Sequence, residues 1–374
     1  MLWNPLNVLE LPKFVYSFVH PGLGRLAGTL NVSKTAMSAR QRMETPVIYF
    51  YTERPRTVDV AVDFPEGTMS EWYPQARFAE ELATPVTERK PSARNTLRWQ
   101  NVSIEPATAP SADPSRALPH ESAGSHYYSA RETDSALVKI EDRAGHIERE
   151  KFLFYRGVGN FIAPLTVKTP GQDGSDLLLS NDGAEELRHL FAYEVRAGRG
   201  RWITVDRLSP HEQTPVRLAG AAELSVDELR DVLGKKIRAA LVSEGLFEHE
   251  ATAMIKTWDE SWFAEQGVRV LYTLPRAWTD RTLPLRFTPA PRAVARVMVG
   301  RAEIITPAME RDLVTEVDRF ISGDSTARKL AAENTRRLGL GRFAEATLRH
   351  LLVSSKRSAE FSTASWQLLQ ESSK

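Results

Sequence analysis

From Thr45 to about Arg217 the chain consists of short runs rich in Val, Ile, Tyr, Phe and Trp, cut by Pro, Gly, Asp and Asn; at Ser225 this pattern stops and helical periodicity takes over. That change constrains the fold more than any other feature. Short β-rich runs with no helices between them pair most simply as antiparallel neighbours, because a parallel pair needs a long crossover. The runs fall at 47–51, 58–62, 96–104, 126–131, 136–140, 150–156, 164–168, 176–180, 189–195 and 201–208. They predict an antiparallel sandwich or barrel-like core. Thr52–Arg56, between the first two runs, reads as a hairpin turn. Asp59 and Asp63 place one face of the second run in water.

The helical part opens on a capping box, Ser225-Val226-Asp227-Glu228, in which the Ser hydroxyl and the Glu carboxylate each satisfy a backbone N–H. Val226, Leu229, Leu233, Ile237 and Leu241 give this helix one apolar stripe, and Gly245 ends it. A second helix carries Phe247, Ala251, Met254, Trp258 and Trp262 on one face. Strands then return at 268–274, 283–287 and 294–304, with a turn at Pro275–Asp280. Thr306-Pro307 is an N-cap followed by proline at the first helical position. Beyond it, helices are predicted at about 307–321, 325–338, 341–355 and 358–370, forming a small bundle.

At 374 residues the chain exceeds the roughly 250–300 residues at which single cores stop growing, so several domains are expected. The reading is α+β: an irregular N-terminal extension over 1–44, a β-sandwich-like domain over 45–220, a helix pair with returning strands over 221–305, and a helical bundle over 306–374.

Composition mainly excludes. With 49 basic and 48 acidic side chains the net charge is +1, which leaves no global field to gather nucleic acid. The absence of cysteine removes disulfides, thiolate metal sites and thiol nucleophiles. No apolar run approaches the roughly 20 residues of a membrane-spanning helix. The first residues are apolar but lack a basic leader and are interrupted by Pro5, Pro12 and Pro21, a poor signal peptide. The expectation is that the natural start lies upstream, which would place the protein in the periplasm or outside the cell; otherwise it is cytoplasmic.

Catalytic signatures are weak. His120-Glu121, His211-Glu212 and His249-Glu250 lack the second histidine of a helical zinc motif. His120, Glu121 and His126 surround a flexible glycine and form the best local metal candidate, with Glu132 or Asp134 as further ligands. Residues 105–125 form a long polar loop, read as a lid or an insertion. Gly157 and Gly159 follow a run of strand residues without a subsequent helix, so they signal a turn or bulge rather than a dinucleotide site. Ser322-Gly323-Asp324-Ser325 joins two helices, where Asp324 or Ser325 suits an N-cap. Acidic clusters occur at Asp63, Glu66 and Glu71 and at Asp259, Glu260 and Glu265, as expected in an acid-rich chain.

Aromatic residues give the positive binding hint. Trp72 and Tyr73 lie in a turn-rich region after the hairpin and Trp99 flanks a predicted strand; exposed rings there would stack on a sugar or grip an apolar peptide, the alternative being that all three pack inside the sandwich. Trp258 and Trp262, four residues apart on the apolar stripe, read as helix–sheet core, and His249 lies off that stripe. Trp278 and Asp280, in the turn beyond the strand, retain a claim to function. The expected role is a non-catalytic binding or structural protein of a bacterial envelope or exported compartment, recognising a protein or polysaccharide, without a cofactor. The alternative is a hydrolase, with or without a metal, assembled from His120, His126, Glu71 and Asp63.

Overall fold

The computed structural model describes residues 11–17, 41–43, 46–78, 95–108, 118–121, 124–141, 144–159, 161–171, 174–338, 347–348, 351–352 and 358–372. The fold is α+β, with four antiparallel sheets among the described residues and helices concentrated after Ser225.

The first sandwich packs two sheets face to face. One contains β1 (Tyr16–Ser17), β2 (Gln41–Met43), β3 (Val47–Ile48), β5 (Gly67–Tyr73) and β10 (Leu153–Gly159), with β5 and β10 at its centre. The other runs β18-β4-β7-β8-β9, formed by β18 (Leu285–Thr288), β4 (Arg56–Asp63), β7 (Thr96–Glu105), β8 (Leu137–Glu141) and β9 (Ile147–Glu150), with β6 (Arg77–Phe78) beside β7. Alternation fills the core: Val58, Val60 and Val62 point inward from β4 and meet Leu97, Trp99, Val138 and Leu153. Asp59 and Asp63 stay on the other face, where Asp59 accepts a hydrogen bond from the Asn101 backbone at 2.7 Å.

The second sandwich pairs a short sheet, β11 (Leu165–Lys168), β12 (Asp176–Asn181) and β15 (Gln213–Arg217), with a larger one. The larger sheet has the order β16-β14-β13-β17-β19, from β16 (Leu224–Ser225), β14 (Arg199–Leu208), β13 (Leu187–Arg196), β17 (Gly267–Leu274) and β19 (Met298–Ile304). Leu177, Leu179, Leu190, Val268, Val270 and Tyr272 fill the space between them. The opposite face of the larger sheet is covered by two helices, α1 (Val226–Ser243) and α2 (Glu248–Asp259). Leu229, Leu233, Ile237 and Leu241 of α1 pack on Phe191, Tyr193 and Val195 of β13, and the Ser225–Glu228 capping box is formed. A short helix α3 (Arg276–Thr282) precedes β18. Among the described residues the C-terminal part holds α4 (Pro307–Ser322), α5 (Ser325–Arg337) and α6 (Ala359–Ser372), packed through Leu313, Val317, Phe320, Phe361 and Leu368. Asp324 caps α5 through the N–H groups of Thr326 and Ala327.

Several sequence expectations are corrected. The runs at 47–51 and 58–62 are not hairpin partners: β3 pairs with β10 in one sheet and β4 with β7 in the other, so residues 52–56 cross between layers. Ile48 and Phe50 pack into the sandwich while Val47 and Tyr49 pack on the opposite side, which ties this segment to its own layer. Residues 126–131 form a 3-10 helix rather than a strand, capped by the Ser125 hydroxyl. Pro275–Asp280 is largely helical. The glycine pair behaves as expected of a bulge: Gly157 and Gly159 lie within β10, where the register shifts after Arg156 and the Phe64 ring lies against both. Residues 67–73, expected to be turn-rich, and 213–217 are also strands, and most of the long polar loop lies outside the described residues. Strand pairing also runs across residue 220: β13 and β14 share a sheet with β17 and β19, and β18 returns to the first sandwich.

Candidate functional site

The described part of the molecule holds a large cleft of about 1600 Å³ where the first sandwich, helix α2 and β19 meet. Its deep wall is aromatic and aliphatic: Phe152, Phe154, Trp262, Tyr272, Leu274 and Trp278 line it and are buried. Burial of such groups is ordinary; an open cleft of this size beside them is not, since small-molecule sites span roughly 300–1,000 Å³.

The elements that bound the cleft are joined by polar links. The Tyr51 hydroxyl donates to Glu250 Oε1 at 3.0 Å, and Glu250 Oε2 accepts the Phe247 backbone N–H at 2.8 Å. Tyr51 and Phe247 meet edge to face with centroids 4.7 Å apart, yet are 43% and 60% exposed; they form an aromatic rim. Outside it, His249 Nδ1 lies 2.6 Å from Asp134, and Lys256 pairs with Glu132. Burial pushes the Glu250 carboxyl up, opposed by the bonds from Phe247 and Tyr51; the Tyr51 hydroxyl is raised by burial and then by the nearby Glu250 charge.

Helix α2 ends in a π-turn, Glu260–Ala264. The wider turn presents the Trp262 carbonyl to two donors, the Tyr193 hydroxyl at 2.6 Å and the fully buried Arg269 guanidinium at 3.1 Å. Such turns recur at functional sites, and this one fixes Trp262 against the cleft. On the far side, residues 289–297 run along the cleft without regular secondary structure. Arg296 anchors it, donating to Asp280 at 2.9 Å and to the Leu283 carbonyl, while Arg276 donates to the Val294 carbonyl. Gly300 on β19 is required by close approach: a Cβ there would lie 2.4 Å from the Tyr272 ring.

The residues singled out from sequence divide sharply. Trp72, Tyr73 and Trp99 do not form an exposed platform. Trp99 is fully buried and donates its indole N–H to the Pro74 carbonyl, Trp72 packs on Phe78, and Tyr73 packs with Phe14. Their alternation turns these large apolar rings into the two cores that flank β5. Trp278 does line the cleft, with its indole N–H on the Ile162 carbonyl at 3.2 Å, and Asp280 holds Arg296 in its wall.

His120 stacks on Tyr128 at 4.7 Å, Glu121 accepts the Lys13 backbone N–H at 2.7 Å, and His126 lies against Trp258 at 5.5 Å. Among the described residues no three His, Asp or Glu side chains gather as metal ligands. Of His120, His126, Glu71 and Asp63, His126 alone lines the cleft. Glu71 is buried with Ser70 and lies 4.0 Å from Arg156, and Asp63 pairs with Arg286. No described helix is long and apolar enough to cross a membrane.

Sequence reasoning missed Tyr51, Phe247, Glu250 and Arg296. One signal was present: Phe247 occupies an N-cap, where a short polar side chain is preferred. A large ring at that position is placed there for something other than the helix. No known family's sequence profile matches this chain, and no curated protein or solved structure shows significant similarity to it.

Proposed function

We propose that this chain is a non-catalytic binding protein whose site is the cleft between the first sandwich and α2, and that its partner is a protein. The observation that carries this reading is the cleft itself: about 1600 Å³, apolar in depth, with an exposed aromatic rim. Small-molecule sites occupy roughly 300–1,000 Å³, so the volume favours a segment of a larger partner. Paired aromatic rings with a wet edge are the side chains that dominate protein recognition.

The test fills the cleft. Ala295 lines it and is exposed, so Ala295→Trp adds bulk at the mouth without displacing core. Apolar peptides titrated calorimetrically against the native chain are expected to bind, with the affinity reduced about tenfold or more (1.4 kcal/mol) in Ala295→Trp. Peptide binding that is unchanged in that variant would place the site elsewhere.

A further inference from the structure

We propose that the cleft takes its partner segment as an added β-strand along the outer edge of β19, with acidic residues of that segment held by Arg54, Arg56 and Arg292. This rests on the cleft being the binding site.

The pattern of lining residues points to an edge. A strand that shows a cavity its face contributes every second residue, because side chains alternate. Here Met298 through Glu303 all line the cleft without a gap, as do Pro46 through Arg54. Consecutive lining means that the cleft runs beside the backbone rather than over one face. The topology agrees: β19 is the last strand of its sheet, paired to β17 from Val268↔Ile304 to Leu274↔Met298, and although β11 runs close by, no described strand pairs with its other edge.

In an antiparallel pair, every second residue of the outer strand turns its N–H and C=O away from the neighbour. At Met298, Val299, Gly300 and Ala302, the only backbone pairing among the described residues is to β17. A strand edge of this kind is a template for another strand, and natural proteins normally cover or blunt it. Here it faces a cavity with room for a chain. Main-chain bonds to such an edge would supply affinity, and alternate side chains of the guest would enter the apolar depth near Tyr272 and Trp262.

Charge selects the kind of segment. Arg54, Arg56 and Arg292 line the cleft, are exposed, and have no carboxylate within 4.0 Å among the described residues. Glu53 is the exposed acid in the same lining, whereas Glu250 is taken up by Tyr51 and the Phe247 backbone and Glu303 by Arg269 and Arg301. Unpaired guanidinium groups at the mouth favour a guest whose flanks are acidic.

The experiment is amide hydrogen exchange on the full chain, with a panel of synthetic peptides of about nine residues, a strand's usual length. The peptides alternate apolar residues with Thr and end in Asp. Protection of alternate β19 amides by about tenfold is expected. N-methylation of one alternating set of peptide amides should abolish binding, while methylation of the other set leaves it, because an added strand uses a single edge. Arg54→Glu combined with Arg56→Glu should weaken the Asp-ended peptides about tenfold and leave Lys-ended peptides no weaker.

Cleft binding that is indifferent to which amides are methylated would overturn strand pairing and leave the cleft as a site. Protection by oligosaccharides and by no peptide would overturn the partner class. If neither peptides nor saccharides protect any cleft residue, strand addition and the binding function fall together.

Discussion

The larger sheet of the second sandwich and the first sandwich are both approached by helices from the same pair, with opposite results. Against the sheet, Leu229, Leu233, Ile237 and Leu241 pack on Phe191, Tyr193 and Val195, and none of these residues lines the cleft. Against the first sandwich, α2 is held by Tyr51–Glu250, His249–Asp134 and Lys256–Glu132, and about 1600 Å³ stays open beside them. Branched aliphatic side chains close a junction by volume. Polar links join α2 to the first sandwich beside residues 126–131, which the helix approaches closely, and the cleft stays open next to that contact. Met254 and Trp258 show the consequence on one helix, since both line the cleft and are only half-buried.

The contrast is broken most directly by truncation on each side. Leu233→Ala, at a fully buried position, should destabilise the protein by about 2–5 kcal/mol in chemical denaturation, through lost transfer energy and a new cavity. Met254→Ala, beside space that is already open, should cost about 1 kcal/mol or less, because it deletes few contacts. Equal costs would mean that the two junctions are packed alike.

Next in size is Gly300→Ala. Its methyl group would collide with the Tyr272 ring, and overpacking of this kind costs about 1–3 kcal/mol. Thermal unfolding that matches the native chain would show β19 to be pliant rather than a fixed edge. Ser225→Ala removes the hydroxyl that caps α1 and should cost about 0.5–2 kcal/mol. That loss should leave peptide binding intact, since α1 serves the closed junction.

The smallest expected effect is a pH slope. Burial raises the Glu250 carboxyl above its ordinary value of 4.5. The folded chain therefore holds this proton at pH values where the unfolded chain has released it, and its contribution to stability falls as pH rises from 4.5 through the folded value. Glu250→Gln should abolish that part of the slope, so the variant gains on the native chain as pH rises. A stability difference that stays constant with pH would mean that Glu250 titrates normally.

What sequence could reveal depended on whether a signal is local. The capping box at Ser225, the stripe of α1 and the Asp324 cap rest on neighbours a few residues apart, and each appears where expected. Most strands were legible from alternation and turn residues. Residues 126–131 misled because HYYSAR has strand-like composition; its rings instead gather around Arg131, which lies 5.6 Å from the Tyr127 ring and pairs with buried Glu150. Trp72 and Trp99 carry the same ambiguity, since a ring in a strand has the same sequence signature facing a core or a solvent. Apart from Phe247 at an N-cap, the cleft had no local signature. It depends on which strands end their sheets, and β18 and β19 reach those positions only through pairings with β4 and β17.

The most direct test of an open apolar site is the fluorescence of anilinonaphthalene sulfonate with the native chain and with Ala295→Trp. An accessible apolar cleft should give saturable enhancement in the cooperatively folded native chain, and filling the mouth should remove most of it. Absence of enhancement, or enhancement that Ala295→Trp leaves unchanged, would contradict the existence of an open site at this junction.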